Sequence, residues 1–293
     1  MNNSKIIRFG NWKIEYCTFG EGPEVLLSFH GFGKHFRDFE AMVPTLGQRF
    51  RFVSVHLLFH GESIPDEVPN RPIAFERSDL MELLHVLKKD EGFDRFSLLG
   101  YSLGGKLVLT LAEMVPEQID HVFLIAPDGV GINPWYYFSS RTALGQRLHH
   151  WSIQNHTVID GLYQIVMGFK IVPKNLTQFA YDMLKDHDHS TLIYNTWLTY
   201  RRLIPDQDKL VNDLAKHEVN IQFFVGIRDQ LIPLKPLQRL CARLHGEHPI
   251  TEFEGGHQIS FVKVAKLIDE RMEPVGFEKG SFAIPKTSSS DSK

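Results

Sequence analysis

Short apolar runs alternate with longer helical patterns along most of this chain. The runs lie at 25–29, 52–57, 96–99, 122–126, 221–225 and 250–254. Because they are short and rich in Val, Ile and Phe, they are typical of strands that are buried on both faces. Ahead of them, the alternating segments "KIIRF" and "WKIEYCTF" flank Gly10 and Asn11, and this pattern predicts an antiparallel hairpin.

Helical patterns fill the gaps between these runs. Apolar residues recur on one helical face within 75–90, 103–114 and 259–272, and a further helix is expected from about Pro233. Strands that alternate with helices form βαβ units. We therefore predict an α/β fold, with a mostly parallel β-sheet that is flanked by helices and led by the hairpin.

One interval departs from this alternation. From residue 130 to 215 the sequence has helical patterns and many aromatic residues but no convincing strand. Because the interval lies between two expected core strands, we interpret it as a helical insertion. This gives a core of 1–129 and 216–275, an insertion of 130–215, and a Ser- and Lys-rich tail of 276–293 that is expected to be disordered.

Composition narrows the class of protein. The 293 residues are 43% hydrophobic and carry a net charge of -3, which is typical of a globular protein and gives no electrostatic reason to expect nucleic acid. Cys17 and Cys241 show neither metal-ligand spacing nor a disulfide framework. No signal peptide and no membrane-spanning stretch is recognised. We expect a cytoplasmic protein with a small-molecule substrate and no stable membrane insertion, and its oligomeric state stays open.

Ser102 lies where an expected strand gives way to a helix, in "FSLLGYSLGG" (96–105). A serine in G-x-S-x-G at a strand–turn–helix junction is the arrangement of a nucleophile elbow. The free N–H groups at the start of the helix would suit a developing oxyanion. The same residues also fit a helix N-cap with glycines chosen for packing, so the hypothesis needs a base and an acid.

The candidate base is His257. In a parallel α/β sheet, active sites lie at the carboxyl ends of the strands, and His257 in "EGGHQIS" follows the last expected strand. The alternative is an ordinary exposed loop histidine. His187 and His189, in "DHDHS", do not share a helical face, which favours a solvated segment over a metal site.

Two aspartates follow expected strands and could orient the base. Asp229 in "GIRDQLIP" is preferred, and the alternative for it is a turn residue before the helix near Pro233. Asp128 lies between Pro127 and Gly129, where a turn explains it well, but it stays open as the alternative acid. The preferred order along the chain is therefore Ser102, Asp229, His257.

This order resembles that of the α/β-hydrolase superfamily. The motifs "HGFG", "GYSLGG", "GIRDQLIP" and "GGHQIS" are similar to the family's oxyanion loop, nucleophile elbow, acid loop and histidine loop. The resemblance implies an oxyanion hole made by the backbone N–H groups of Phe32 and Leu103, with His30 structural. It also implies that 130–215 is a helical cap over the active site and that no metal or organic cofactor is needed.

The loop after the fourth expected strand departs from the family pattern. The family commonly has Asp there, then two residues and Gly-x-Gly-x-Ser, whereas "HLLFHGES" keeps Gly61 and Ser63 but has His56 and Phe59. We expect this change to reshape one wall of the pocket without touching the triad.

The sequence therefore predicts a serine hydrolase that works through an acyl-enzyme, most simply on a small or medium carboxylic ester with an apolar part. Carbon–carbon bond hydrolysis and acyl transfer to an alcohol or thiol stay open within the fold. A non-catalytic ligand-binding protein is the alternative from another class. Aromatic residues of the insertion are expected partly to line an apolar pocket and partly to form the insertion's own core: Trp135, Tyr136, Tyr137, Phe138, Trp151, Tyr163, Trp197 and Tyr200.

Overall fold

The chain begins with the hairpin that the sequence predicts. In the computed structural model, which describes residues 4–67, 72–131, 134–155, 186–244 and 250–272 with positions 158 and 161, β1 (Ser4–Phe9) pairs antiparallel with β2 (Trp12–Phe19). The turn residue Gly10 has a φ of 50°, a conformation that glycine adopts readily. The tail 276–293 lies outside the described residues.

The remaining strands extend one sheet from this hairpin. They are β3 (Glu24–Phe29), β4 (Phe50–Val55), the short β5 (Ile64–Pro65), β6 (Phe96–Tyr101), β7 (Ile119–Ile125), β8 (Asn220–Gly226) and β9 (Ile250–Phe253). The order across the sheet is β1-β2-β4-β3-β6-β7-β8-β9, with β5 paired to β2. Pairing is parallel from β4 to β9 and antiparallel at the hairpin end. The predicted mostly parallel sheet is confirmed.

Helices follow the strands as the alternation predicts. They are α1 (Val43–Leu46), α2 (Arg77–Glu91), α3 (Leu103–Met114), α4 (Pro134–Arg141), α5 (Ala143–Gln154), α6 (His187–Thr199), α7 (Gln207–Lys216), α8 (Leu234–Cys241) and α9 (Phe261–Arg271). Short 3₁₀ segments lie at Phe36–Met42, Pro116–Gln118 and Tyr200–Arg202. In the described part of 130–215 there is no strand, and the limits of the predicted insertion stay a prediction.

Two apolar clusters cover the two faces of the sheet. One contains the leucine row of α2, the apolar side of α3, and Leu210, Val211 and Leu214 of α7. The other joins the segment 36–46 to α9. Burial of these side chains is the main favourable term for folding, and it leaves the carboxyl ends of the strands free for polar groups.

The predicted strand 52–57 ends two residues early. The N–H of His56 donates to the carbonyl of Glu15 at 2.9 Å, and the N–H of Leu57 donates to Nε2 of His30 at 3.0 Å. The first bond extends the β2–β4 register by one residue, whereas the second goes to a side chain instead of a neighbouring strand, so the regular ladder ends here. Apolar content alone could not locate this end, because His30, which accepts the N–H of Leu57, lies in the loop after β3.

Candidate active site

Ser102 occupies a strained turn between β6 and α3. Its backbone has φ 50° and ψ -117°, a conformation that costs a residue with a side chain about 1–3 kcal/mol. The N–H of Ser102 donates to Ile125 at 2.9 Å, and its carbonyl accepts from Gly105 and Asp128, each at 2.8 Å. These bonds hold the turn in place, so the side chain projects at the carboxyl edge of the sheet.

Glycines, which have no side chain, allow this turn to pack tightly. A Cβ on Gly104 would lie 2.0 Å from the carbonyl oxygen of Phe29, and one on Gly100 would lie 2.8 Å from Cα of Gly105. On the opposite side, a Cβ on Gly31 would lie 3.1 Å from Cβ of Ser102. The glycines of "GYSLGG" and "HGFG" therefore bring the loop after β3 directly against the serine.

His257 joins the serine to an acid. Its Nε2 lies 2.8 Å from Oγ of Ser102, and its Nδ1 lies 2.7 Å from Oδ2 of Asp229. With the Nδ1 proton directed at the carboxylate, Nε2 is free to accept the serine proton. The structure thus brings together the serine, histidine and aspartate that the sequence selected.

Asp229 serves both the turn and the histidine. One carboxylate oxygen accepts the N–H groups of Leu231 and Ile232 at 2.8 and 3.0 Å, while the other faces His257. Burial raises the pKa of Asp229, but the hydrogen bond from His257 and those from the backbone outweigh burial, so the pKa lies below its ordinary value. One carboxylate oxygen of Asp229 therefore stabilises the turn and the other orients the histidine, so the residue has both of the roles considered for it.

Asp128 is not placed against the histidine. Its Oδ2 lies 3.0 Å from Nζ of Lys106, whose side chain is buried, and the lysine ammonium lies 4.0 Å from the ring centre of Tyr136. Burial lowers the pKa of Lys106, but Asp128 and Tyr136 together raise it by more, so the ion pair is maintained. The alternative acid is thus engaged elsewhere.

The predicted oxyanion loop is held by two neutral histidines. His30 accepts from the N–H of Leu57 at 3.0 Å and donates to the carbonyl of Gly31 at 2.7 Å. His60 accepts from the N–H of Gly33 at 2.9 Å and donates to Leu58 at 3.1 Å. Burial lowers the pKa of both rings, which keeps Nε2 available as an acceptor.

Phe32 lies in the loop after β3, and Leu103 is the first residue of α3, directly after the serine. Within the described ranges, neither N–H donates a hydrogen bond. Unpaired N–H groups at a helix start favour negative charge. Both are therefore available to a substrate oxygen.

In the loop 56–63, where the sequence departs from the family pattern, His56 pairs with a residue that the sequence analysis missed. Nδ1 of His56 lies 2.8 Å from Oε2 of Glu15, and the same oxygen accepts from the N–H of Glu62 at 2.9 Å. Phe59 has a φ of 68°, which is unusual for a residue with a bulky side chain. Glu15 lies far away in the sequence, on β2, so no local signal could have indicated this pairing.

Tyr101 is a second residue that the sequence analysis missed. Its hydroxyl donates to the carbonyl of His257 at 3.2 Å, and the two rings stack with centres 5.6 Å apart. Burial raises its pKa to about 12, so the donor stays protonated. Its place directly before Ser102 was a local signal that could have drawn attention to it.

The other candidates lie around this centre. His187 and His189 lie in the first turn of α6, exposed, and the His189 ring contacts that of Phe32 with centres 5.6 Å apart. Among the described residues, no group of three or more potential metal ligands is found. Tyr200 is buried and accepts from the N–H of Leu58 at 2.8 Å, while Tyr137 and Trp151 are exposed. The Trp135 side chain and Tyr163 lie outside the described residues.

Comparison with known proteins agrees with this architecture. Residues 24–165 match the family described as alpha/beta hydrolase fold. An uncharacterized protein of Mycobacterium tuberculosis (strain ATCC 25618 / H37Rv) is 31% identical over 284 residues, covering 90% of this chain and 80% of the relative. The pimeloyl-(acyl-carrier protein) methyl ester esterase of Nitrosomonas europaea is 33% identical over 113 residues, covering 39% of this chain and 40% of that protein.

Solved structures share the fold at low sequence identity. A hydrolase from Pseudomonas aeruginosa superposes with a TM-score of 0.63 and 18% identity, covering 92% of this chain and 96% of the other. A thermophilic esterase from Thermogutta terrifontis gives a TM-score of 0.60 and 15% identity, covering 88% and 92%. The family match, the relative that spans most of the chain and the shared architecture together establish that this chain belongs to the α/β-hydrolase superfamily.

Proposed function

We propose that this protein is a serine hydrolase that cleaves a small or medium carboxylic ester with an apolar part, through an acyl-enzyme. The observation that carries the proposal is the continuous hydrogen-bond chain from Ser102 through His257 to Asp229, with distances of 2.8 and 2.7 Å. A nucleophile within reach of a base that is itself oriented by an acid is the arrangement that activates a serine.

The first half of the reaction forms the acyl-enzyme. Nε2 of His257 takes the hydroxyl proton as Oγ of Ser102 attacks the ester carbonyl, and Asp229 stabilises the charged imidazole. The N–H groups of Phe32 and Leu103 donate to the oxyanion of the tetrahedral intermediate. His257 then returns the proton to the departing alcohol as the carbon–oxygen bond breaks, which leaves the acyl group on Ser102.

The second half releases the acid. A water molecule loses its proton to His257 and attacks the acyl carbonyl, and the proton passes to Oγ of Ser102 as the acyl–serine bond breaks. The residues that carry charge in these steps, His257 and Asp229, are hydrogen-bonded to each other. None of these steps requires a metal or an organic cofactor. No helix in the described ranges is long and apolar enough to cross a membrane.

The helices of 130–215 act in this proposal as a cap above the serine. Support comes from contacts between these helices and the catalytic edge: His189 of α6 against Phe32, and Tyr136 of α4 against Lys106. The name of the Nitrosomonas europaea relative, a methyl ester esterase, supports an ester as the substrate class. Covering the site limits the size of the acyl or alcohol part.

The test is hydrolysis of p-nitrophenyl esters of increasing acyl length by wild type and Ser102→Ala. We expect turnover by the wild type and a loss of at least about a thousandfold in the variant, with unchanged thermal unfolding. Equal rates in both proteins would overturn the role of Ser102. Absence of turnover on every ester would reject the esterase, and faster product formation with an added alcohol or thiol would assign acyl transfer instead.

A further inference from the structure

Helix α5 exposes an apolar stripe and buries several polar side chains. Its exposed positions include Leu144, Leu148 and Trp151, which are 62%, 48% and 44% exposed. Its buried positions are Gly145, Gln146, His149, Ser152 and Ile153, so most of the buried side chains are polar. Arg147, His150 and Gln154 are exposed beside the leucines. A helix of a globular protein ordinarily turns its apolar stripe inward and its polar side outward. The pattern therefore indicates that the outer side of α5 meets an apolar environment.

Helix α4 continues the same arrangement. Tyr137 is 46% exposed, while Ser139 and Ser140 of the next turn are buried. We call Tyr137, Leu144, Leu148 and Trp151 the outer apolar face. A large aromatic ring with a polar edge and long aliphatic side chains are the residue types that settle at the boundary between lipid tails and water.

The charges along α4 and α5 indicate which kind of partner could bind the outer apolar face. Between Asp128 and Asp160 the sequence contains no Asp or Glu, although the whole chain has a net charge of -3. The charged residues there are Arg141 and Arg147. Neither forms an ion pair with a carboxylate in the part of the chain that the structure describes. On α4 and α5 themselves, the side chains that carry charge are therefore positive.

We propose that the outer apolar face docks on the surface of an anionic lipid bilayer, with α5 lying parallel to it. The side chains of Leu144, Leu148 and Trp151 would enter the interface, and Arg147 would face lipid phosphates. A second copy of this chain fits less well, because a symmetric contact would place arginine-bearing faces against each other. The contact is a reversible surface attachment and needs no membrane-spanning segment.

The test is co-sedimentation with lipid vesicles, performed with Ser102→Ala protein so that lipid cleavage cannot interfere. Vesicles of phosphatidylcholine alone are compared with vesicles that also contain phosphatidylglycerol. We expect the protein to bind the anionic vesicles, with affinity that falls as salt is added. Because the readout is binding, its outcome is independent of the proposed esterase function.

Matched variants locate the contact. The triple variant Leu144→Asn, Leu148→Asn, Trp151→Gln should lose at least roughly tenfold in vesicle partitioning. The control variant replaces apolar residues of similar exposure on the core and should partition as the parent does. Its substitutions are Ile6→Thr, Ile73→Thr and Val262→Gln. Arg147→Gln should weaken binding roughly fivefold on anionic vesicles only, while the exposed Arg239→Gln should not.

Three results would overturn the proposal. One is the absence of sedimentation with anionic vesicles by protein whose circular dichroism shows it to be folded. Another is equal loss of partitioning in the triple variant and its control, which would locate the contact elsewhere. The third is a concentration-dependent dimer that the triple variant abolishes, since the occupant of the face would then be a second copy of the chain.

Discussion

The sheet core and the helices α4 and α5 bury opposite kinds of side chain. In the core, Leu98, Phe123 and Phe223 are fully buried within the strands, and the catalytic side chains lie at the carboxyl edge. There the buried histidines His30 and His60 use both ring nitrogens. In α4 and α5 the interior contains serine, glutamine and histidine, and the leucines face outward.

This difference shows what each region is built to do. The core fixes the positions of the catalytic groups by apolar packing and by the hydrogen bonds of polar groups at the carboxyl edge. The two helices give up part of the stability that burial would bring, because their leucines are left in water. A region that forgoes this stability is expected to recover it against a partner surface.

The largest expected effect is a difference in unfolding free energy between two leucine variants. Leu98→Ala, in β6, should lower the free energy of unfolding by about 2–5 kcal/mol, because it leaves a cavity in a closely packed core. Leu148→Ala, on the outer side of α5, should change it by less than about 0.5 kcal/mol. Urea unfolding of both proteins measures this. Equal destabilisation would mean that Leu148 packs against protein, and the contrast between the regions would fail.

Two buried histidines should also behave differently. His60→Leu removes the acceptor of the Gly33 N–H and should cost about 1–3 kcal/mol, with a fall in kcat as the oxyanion loop shifts. His149→Leu should cost little, since Nδ1 of His149 has no hydrogen-bond partner among the described residues. Unfolding free energies and ester kinetics of both variants provide the check, and a larger loss in His149→Leu would contradict it.

Part of the pH dependence of stability comes from His149. Burial lowers its pKa to about 4 from 6.5, so between these values the unfolded chain holds a proton that the folded chain lacks. Stability from this residue is therefore lost as the pH falls from 6.5, by up to about 1.4 kcal/mol per pH unit. The slope should be smaller in His149→Leu by that amount. Identical slopes in wild type and variant would show that the ring is protonated when folded.

The smallest contrast concerns two buried threonines. Thr110 of α3 donates to the carbonyl of Lys106 at 2.8 Å, whereas Oγ1 of Thr196 in α6 has no partner within the described ranges. Thr110→Val should cost about 1 kcal/mol, and Thr196→Val should leave stability unchanged or raise it by a similar amount. Chemical denaturation resolves the sign, and destabilisation by Thr196→Val would indicate a hidden partner.

The sequence predicts the core well because the patterns that mark strands and turns are local. Alternating and continuous apolar runs mark the strands, and the glycines around Ser102 mark the turn, so the candidates Ser102, Asp229 and His257 could be selected before any coordinates. The inverted polarity of α5 was not predicted. An apolar stripe in a sequence shows which residues share a face, but it does not show which way the face turns.

Pairings between distant segments were also beyond sequence reasoning. Nδ1 of His56 is paired with Glu15, and the N–H of Gly33 donates to His60, because the sheet order brings β2 and β4 together beside the loop after β3. Nothing in the local pattern of either partner specifies the other. Their assignment required the topology.

The central claim is that Ser102 carries the acyl group, and mass spectrometry tests it most directly. Wild type is mixed briefly with p-nitrophenyl acetate, quenched in acid, digested and analysed beside Ser102→Ala. We predict an added acetyl group on the peptide that contains Ser102 and none in the variant. Turnover of the ester with the acetyl group on another residue, or with no adduct at any mixing time, would contradict the claim.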